Sequence, residues 1–137
     1  MPQRDIYHDA VKNALIKDGW TITHDPYRLP LDEGNVFVDL GAETLAAEQA
    51  GRKIAVEIKS FLGKSPVADL EQALGQYILY RTLLLEHEPG RDVFLALPQE
   101  AWSGVLSRSQ MRGVLAANGV KLLIFERVQE EIIEWSE

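Results

Sequence analysis

Lys53-Ile-Ala-Val-Glu-Ile-Lys59 is the stretch on which the reading of this chain turns. Apolar and β-branched residues dominate it, and the run ends at Ser60, which predicts a single β-strand. Side chains alternate faces along a strand, so Val56 and Ile58 share one face with Ile54 and anchor the strand in a core. Glu57 and Lys59 share the other face. A second short strand is expected at Val36-Phe-Val-Asp-Leu40, with Asp39 among apolar residues. If the two strands pair as a hairpin, Asp39, Glu57 and Lys59 meet at one point. Two carboxylates and a lysine there suit a divalent cation and a phosphodiester.

Outward from this strand the pattern is regular. Upstream, Asp5 is a plausible N-cap, and Ile6, Tyr7, Ala10, Val11, Ala14 and Leu15 follow at helical spacing. A helix is expected over about Ile6 to Asp18, stopped by Gly19. Trp20 to His24 reads as a short strand. Asp25-Pro26 and Pro30 to Gly34 read as an irregular connection. Residues 41–52 stay open between a continued strand with a broad turn and a short helical insert, since helix formers there precede Gly51-Arg52. Downstream, Ser65-Pro66 opens a long helix reaching about His87, where Pro89-Gly90 ends it. Its apolar face is traced by Val67, Leu70, Ala73, Leu74, Tyr77, Ile78, Arg81, Leu84 and Leu85. Asp92 to Leu97 and Val120 to Glu126 read as buried strands. Pro98 to Asn118 reads as one or two helices broken near Ser107 to Ser109. Glu131 to Trp135 is expected as an edge strand. The order αβββαβ, then helical, then β, predicts an α/β fold with a mixed central sheet flanked by helices.

The totals set limits. A length of 137 residues fits a single domain over 1–137 with a sizeable core, at 46% hydrophobic and 26% charged residues. No apolar run nears the ~20 residues needed to span a bilayer, and the N-terminus has no signal-peptide core, so a cytoplasmic protein is expected. The chain has no cysteine, which excludes disulfides, thiolate metal sites and a cysteine nucleophile. Its net charge of −7 weighs against a broad nonspecific nucleic-acid surface. Much of that charge is local, because Glu126 to Glu137 holds five glutamates and one arginine. The three histidines show no paired ligand spacing. No Walker loop, dinucleotide fingerprint or Gly-x-Ser-x-Gly elbow is present.

Asp39 followed by Glu57-x-Lys59 resembles the signature of the PD-(D/E)xK nuclease superfamily, whose restriction-endonuclease-like core has the same αβββαβ order. Val38 stands where that signature has proline. Three longer runs resemble the XisH family over nearly the whole chain: Asp5-Ile-Tyr-His-Asp-Ala-Val-Lys-Asn-Ala-Leu-Ile-Lys-Asp-Gly-Trp20, Ala55-Val-Glu-Ile-Lys-Ser-Phe61 and Asp69-Leu-Glu-Gln-Ala-Leu-Gly-Gln-Tyr77. The resemblance implies a cyanobacterial controlling factor for excision of the fdxN DNA element, acting on DNA beside a small XisI-like partner. DNA-cutting relatives are commonly dimers, which makes a homo-oligomer an option. The superfamily resemblance implies Mg²⁺ or Mn²⁺ held by Asp39, Glu57 and the backbone carbonyl of Ile58. Lys59 would orient the attacking water or stabilise developing charge. It also implies a Gln-x-x-x-Tyr pair on the following helix, matched by Gln76 and Tyr80, which orients the lysine or contacts DNA. Gln72 lies one turn before Gln76.

Bland readings stand beside these. Glu-x-Lys on a strand is the ordinary pattern of a solvated ion pair. Gln76 and Tyr80 also fit a helix with a polar shoulder and a buried tyrosine. Asp9 is the candidate acid from the first helix, with Asp5 and His8 beside it. Glu43 is a candidate supporting acid, and Lys64 a candidate phosphate contact or a solvated lysine. Two functions remain open at this point. One is a metal-dependent DNA endonuclease hydrolysing phosphodiesters. The other is a catalytically silent DNA- or protein-binding accessory factor, which the acidic net charge favours.

Overall fold

The computed structural model describes residues 4–44 and 51–137. The first helix, α1 (His8–Lys17), buries Ala10, Val11, Ala14 and Leu15. It starts later than Ile6. Asp5 does not cap it as the N-cap residue but accepts a hydrogen bond from Tyr7 N at 2.9 Å, one residue before the helix. Gly19 ends it at a φ of +94°, a conformation that a β-carbon disfavours. Strand β1 (Thr21–His24) follows, as expected.

The next segment departs from the expected irregular connection. Tyr27–Pro30 forms β2 and Asn35–Val38 forms β3, and the two pair as a separate antiparallel hairpin. The prolines hid an alternation in which Tyr27 and Leu29 are buried while Arg28 and Pro30 face out. Pro30 is tolerated because it ends its strand. The single strand expected over Val36 to Leu40 is broken at Asp39. Val38 ends β3, and Leu40 begins β4 (Leu40–Glu43), which belongs to a different sheet. The bend turns the Asp39 carboxylate onto the backbone of the neighbouring strand. Of the two readings left open for 41–52, the continued strand holds through Glu43. Thr44 N donates to Arg52 O at 2.9 Å, closing the far side of the turn. The short helical insert would fall on residues 45–50, outside the described residues.

Strand β5 (Lys53–Ile58) pairs antiparallel with β4 and parallel with β6 (Arg91–Pro98). Between β5 and β6 the chain crosses over through α2 (Pro66–His87). Ser65 Oγ accepts from Ala68 N at 3.1 Å, the N-cap expected from Ser-Pro, worth about 1 kcal/mol. The buried stripe of α2 is Leu70, Ala73, Tyr77, Tyr80 and Leu84. It is narrower than the predicted face: Val67, Ile78 and Leu85 are exposed, and Tyr80 takes an inward position. After β6 come α3 (Gln99–Ser103), α4 (Ser109–Ala117), β7 (Leu122–Glu126) and the edge strand β8 (Glu131–Ser136).

The result is a mixed six-stranded sheet in the order β1-β4-β5-β6-β7-β8, flanked by helices. With the β2–β3 hairpin set aside, the elements up to β6 follow the expected αβββαβ order. One core packs α2 and the hairpin against Ala55, Val93, Leu95 and Leu97. The other packs Val11 and Leu15 of α1 against Ile54, Val56, Ile58 and Phe94. The central strands are thus buried on both faces, which explains why β6 reads as a continuous apolar run. No helix of the described residues is long and apolar enough to cross a membrane.

Candidate active site

The register of β4 on β5 builds the site. Leu40 pairs with Val56, so the residue before Leu40 stands beside the residue after Val56, which places Asp39 against Glu57. Ladder pairing stops at Leu40, and the Asp39 side chain takes over: its Oδ2 accepts from Ile58 N at 2.8 Å. Glu57 Oε1 accepts from Asp39 N at 3.3 Å. The amide and carbonyl of one strand residue point to the same edge, so the Ile58 carbonyl also lies on the Asp39 side. Lys59 N is turned the other way and donates to Ala96 O at 3.0 Å.

The two carboxylates meet in a dry place. Glu57 is 5% exposed, and Asp39 is half-buried. Burial pushes the Glu57 carboxyl up to about 9; the neighbouring Asp39 charge adds to this, and Lys59 opposes it. Burial raises Asp39 too, against the pull of the Ile58 amide, Glu57 and His8. Among the described residues neither carboxylate is engaged in a salt bridge, so the solvated Glu-x-Lys ion pair is not formed.

Other side chains converge from two helices. Tyr80 of α2 is buried close enough to this pair that, beyond the effect of burial itself, the Glu57 and Asp39 charges raise its hydroxyl further above its usual range. It is a neutral donor at all ordinary pH. Gln72, two turns earlier on the same helix, lines an open cleft with Lys59, Asp5 and Ser60. Gln76 lies between Gln72 and Tyr80, one turn from each, and its Oε1 is buried with no partner among the described residues.

Several expected contributors are elsewhere. Asp9 is exposed and pairs with Arg4 at 3.1 Å. Asp5, three residues before α1, is the acid that the chain brings to the cleft, through a bond from Ser60 N to its Oδ2 at 3.2 Å. Its position beside His8, one turn apart at the start of the helix, was the available signal. Glu43 lies at the opposite end of β4 and binds the buried Arg91 at 3.0 Å. Arg91 also holds Glu88 at 2.8 Å and donates to Ile54 O at 2.8 Å, so Glu43 belongs to a structural clasp. Lys64 is exposed in the loop beyond the cleft.

Among the described residues no three His, Asp or Glu side chains come together as a ready cation cage. The donor set here is two carboxylates and one backbone carbonyl. That set fits Mg²⁺ or Mn²⁺, which bind through one or two carboxylates and retain several waters. A raised, unneutralised carboxylate pair is also the electrostatic condition that a divalent cation relieves.

The family model described as XisH protein matches residues 1–133 of this chain. The crystal structure of an XisH family protein from Nostoc punctiforme PCC 73102 is 38% identical with a TM-score of 0.88. It covers 97% of this chain and 100% of that one. The crystal structure of an fdxN element excision controlling factor protein from Anabaena variabilis is 38% identical with a TM-score of 0.87, covering 98% and 100%. No curated protein matches the chain. By the extent of the family match and by identity over nearly the full length, the chain belongs to the XisH family.

Proposed function

We propose that this protein is a metal-dependent DNA endonuclease of the PD-(D/E)xK type that acts as a controlling factor in excision of a DNA element. The observation that carries this reading is the convergence of Asp39, just before β4, with the buried Glu57 of β5 in a pair that has no salt-bridge partner among the described residues, beside Lys59, which follows β5. Perturbed acids next to an open cleft are where chemistry is expected. The excision role rests on the Anabaena variabilis relative, named as an fdxN element excision controlling factor.

Asp39, Glu57 and the Ile58 carbonyl would hold Mg²⁺ or Mn²⁺. When bound, such an ion supplies charge neutralisation for phosphodiester hydrolysis and an acidified water. The protein's own groups do the rest. Lys59, at the mouth of the cleft, donates to a phosphate oxygen or orients the attacking water. Tyr80 keeps its proton and donates to the acidic pair or the substrate. Gln76, with its buried acceptor unused, orients the lysine. Asp39 holds the end of β5 through Ile58 N, so the ligand and the strand that carries Lys59 move as one unit.

The test is cleavage of supercoiled plasmid with Mg²⁺ or Mn²⁺, with and without an XisI-like partner, comparing wild type with Glu57→Gln and Lys59→Ala. Cation-dependent nicking lost in both variants supports the enzyme. The net charge of −7 favours a second reading, an accessory factor that binds DNA or an XisI-like protein without cutting. Absence of nicking in every condition, together with no cation binding by calorimetry, would move the assignment there.

A further inference from the structure

The loop that follows β5 separates two cavities. On one side is the polar cleft of Lys59 and Gln72, about 130 Å³ in volume. On the other is a cavity of about 180 Å³ that reaches the end of β6 and α3. Ser60, Phe61 and Leu62 line both. The chemistry proposed above makes no use of the second cavity.

The loop between them is braced. Ser60 N donates to Asp5 Oδ2 at 3.2 Å, and Gly63 N donates to Asp69 Oδ2 at 3.0 Å. A β-carbon on Gly63 would come within 2.6 Å of the Asp69 carboxylate, so the second bond needs glycine. Between the two bonds Phe61 takes a φ of +56°, a left-handed conformation uncommon outside glycine. Such strain persists only where the surroundings over-determine it, and it gathers at ligand sites. Here Phe61 is 9% exposed and packs into the core beneath α2. The next residue, Leu62, is 65% exposed. The brace thus fixes an apolar side chain at the boundary of the two cavities.

The walls of the second cavity are apolar and partly aromatic: Tyr7, Phe61, Leu62, Pro98, Ala101 and Val105. Tyr7 is held edge-on against Phe125, with ring centroids 6.0 Å apart. Ser60 and Glu100 add hydrogen-bonding groups, and Arg127 offsets the Glu100 charge. An apolar cavity of about 150 Å³ takes up a benzene ring, so this volume admits one planar heterocycle. A nucleotide joins such a ring to a phosphate through a single sugar. Lys59 and Leu62 are three residues apart, which keeps their Cα atoms within about 11 Å. A phosphate at Lys59 and a base in the cavity then belong to one nucleotide. The net charge of −7 limits the affinity that phosphate contacts supply, whereas stacking of a base on aromatic walls does not depend on it. A base reaches such a cavity only when it leaves the helical stack, and an exposed leucine is a side chain that wedges a base step open.

We propose that the cavity behind residues 60–62 is a subsite for one unpaired nucleobase next to the scissile phosphodiester, with Leu62 as the wedge at its rim. The inference rests on the DNA reading given above and names the form of DNA that the site selects. The substrate is then DNA with a base already out of the stack, in preference to a fully paired duplex.

Fluorescence anisotropy of labelled DNA tests this, with Ca²⁺ in place of Mg²⁺ so that binding is read without cleavage. Three DNAs are compared: a fully paired duplex, the same duplex with central unpaired thymines, and that duplex with abasic residues in place of those thymines. Wild type should bind the unpaired thymines about tenfold more tightly than the paired duplex, the effect of one stacked base. The abasic DNA should lose that advantage, which separates a base from a merely flexible backbone. Leu62→Ser removes the wedge and Val105→Phe fills the cavity; each should bring the ratio close to one. Leu62 is exposed, so its variant carries the test if Val105→Phe fails to fold. An equal affinity of wild type for all three DNAs, or a preference for unpaired thymines kept in Leu62→Ser, overturns the subsite and leaves the DNA reading standing. Wild-type protein that binds none of the three overturns both.

Discussion

Glu57→Gln should make this protein more stable at neutral pH, and the gain should vanish in acid. In the folded chain Glu57 titrates near 9, against 4.5 for an unperturbed glutamate. At pH 7 the folded carboxyl therefore keeps its proton while the unfolded one has lost it. A group with a raised folded pKa contributes stability that is intact below the unfolded value and is lost as pH rises through the folded value. The interval from 4.5 to 7, at about 1.4 kcal/mol per pH unit, amounts to roughly 3 kcal/mol lost at neutrality. Glutamine removes this term at little structural cost. Its carbonyl oxygen can still accept from Asp39 N, and its amide can donate to the Asp39 carboxylate as the protonated acid does. A chain of this size should gain about 10 °C in Tm at pH 7. Urea and thermal unfolding of both proteins at pH 4, 7 and 8.5 measure the effect. The two should coincide at pH 4 and diverge with rising pH. If the proposed cation site is correct, Mn²⁺ at a hundred times its Kd should raise wild-type stability by about 2.7 kcal/mol and should raise that of Glu57→Gln much less. A variant no more stable than wild type at pH 8.5, or a gain that is the same at pH 4 and pH 8.5, would refute the reasoning. Success would mean that the site is held at a cost in stability, the usual sign of a function that opposes it.

Three further outcomes follow from the packing. Arg91→Met should destabilise the fold by about 3–5 kcal/mol in urea unfolding, because Glu43 and Glu88 then face each other without the buried guanidinium between them. Tyr77→Phe should cost about 1–3 kcal/mol: the hydroxyl donates to Val93 O at 3.1 Å and accepts from Lys121 N at 2.9 Å, so its loss unpairs α2 from β6 and from the residue before β7. Ser65→Ala should cost about 1 kcal/mol through the lost N-cap, with amide exchange accelerated in the first turn of α2 and nowhere else.

Most of the elements were legible because their signals are local. The Ser65-Pro66 cap, the stop at Gly19 and the apolar runs of β5, β6 and β7 each depend on a few adjacent residues. The β2–β3 hairpin was not legible, since its four-residue strands carry a proline and bury only two side chains on one of them. The break at Asp39 was not legible either. Val36 to Leu40 has the composition of one strand, and only its two different pairing partners divide it. Among site candidates, Asp39, Glu57 and Tyr80 come together, whereas Asp9 and Glu43 are drawn off by Arg4 and Arg91. Those arginines are distant enough in sequence, or exposed enough, that spacing alone does not choose between an acid in a site and an acid in an ion pair.

The sequence by itself determined the alternation that puts Glu57 and Lys59 on one face of a strand, the helix caps, and an α/β class with a mixed sheet, because these follow from backbone geometry within a few residues. The tertiary structure alone decided that Asp39 lies against Glu57, that both carboxyls are raised by burial, and that Asp5 reaches the backbone of Ser60 just beyond β5. Those facts depend on the register of β4 on β5, which joins residues 18 and 19 apart in the chain, and on the bond from Ser60 N to Asp5, 55 residues away. Burial, which raises both carboxyls, exists only once the two cores have packed against the two faces of the sheet.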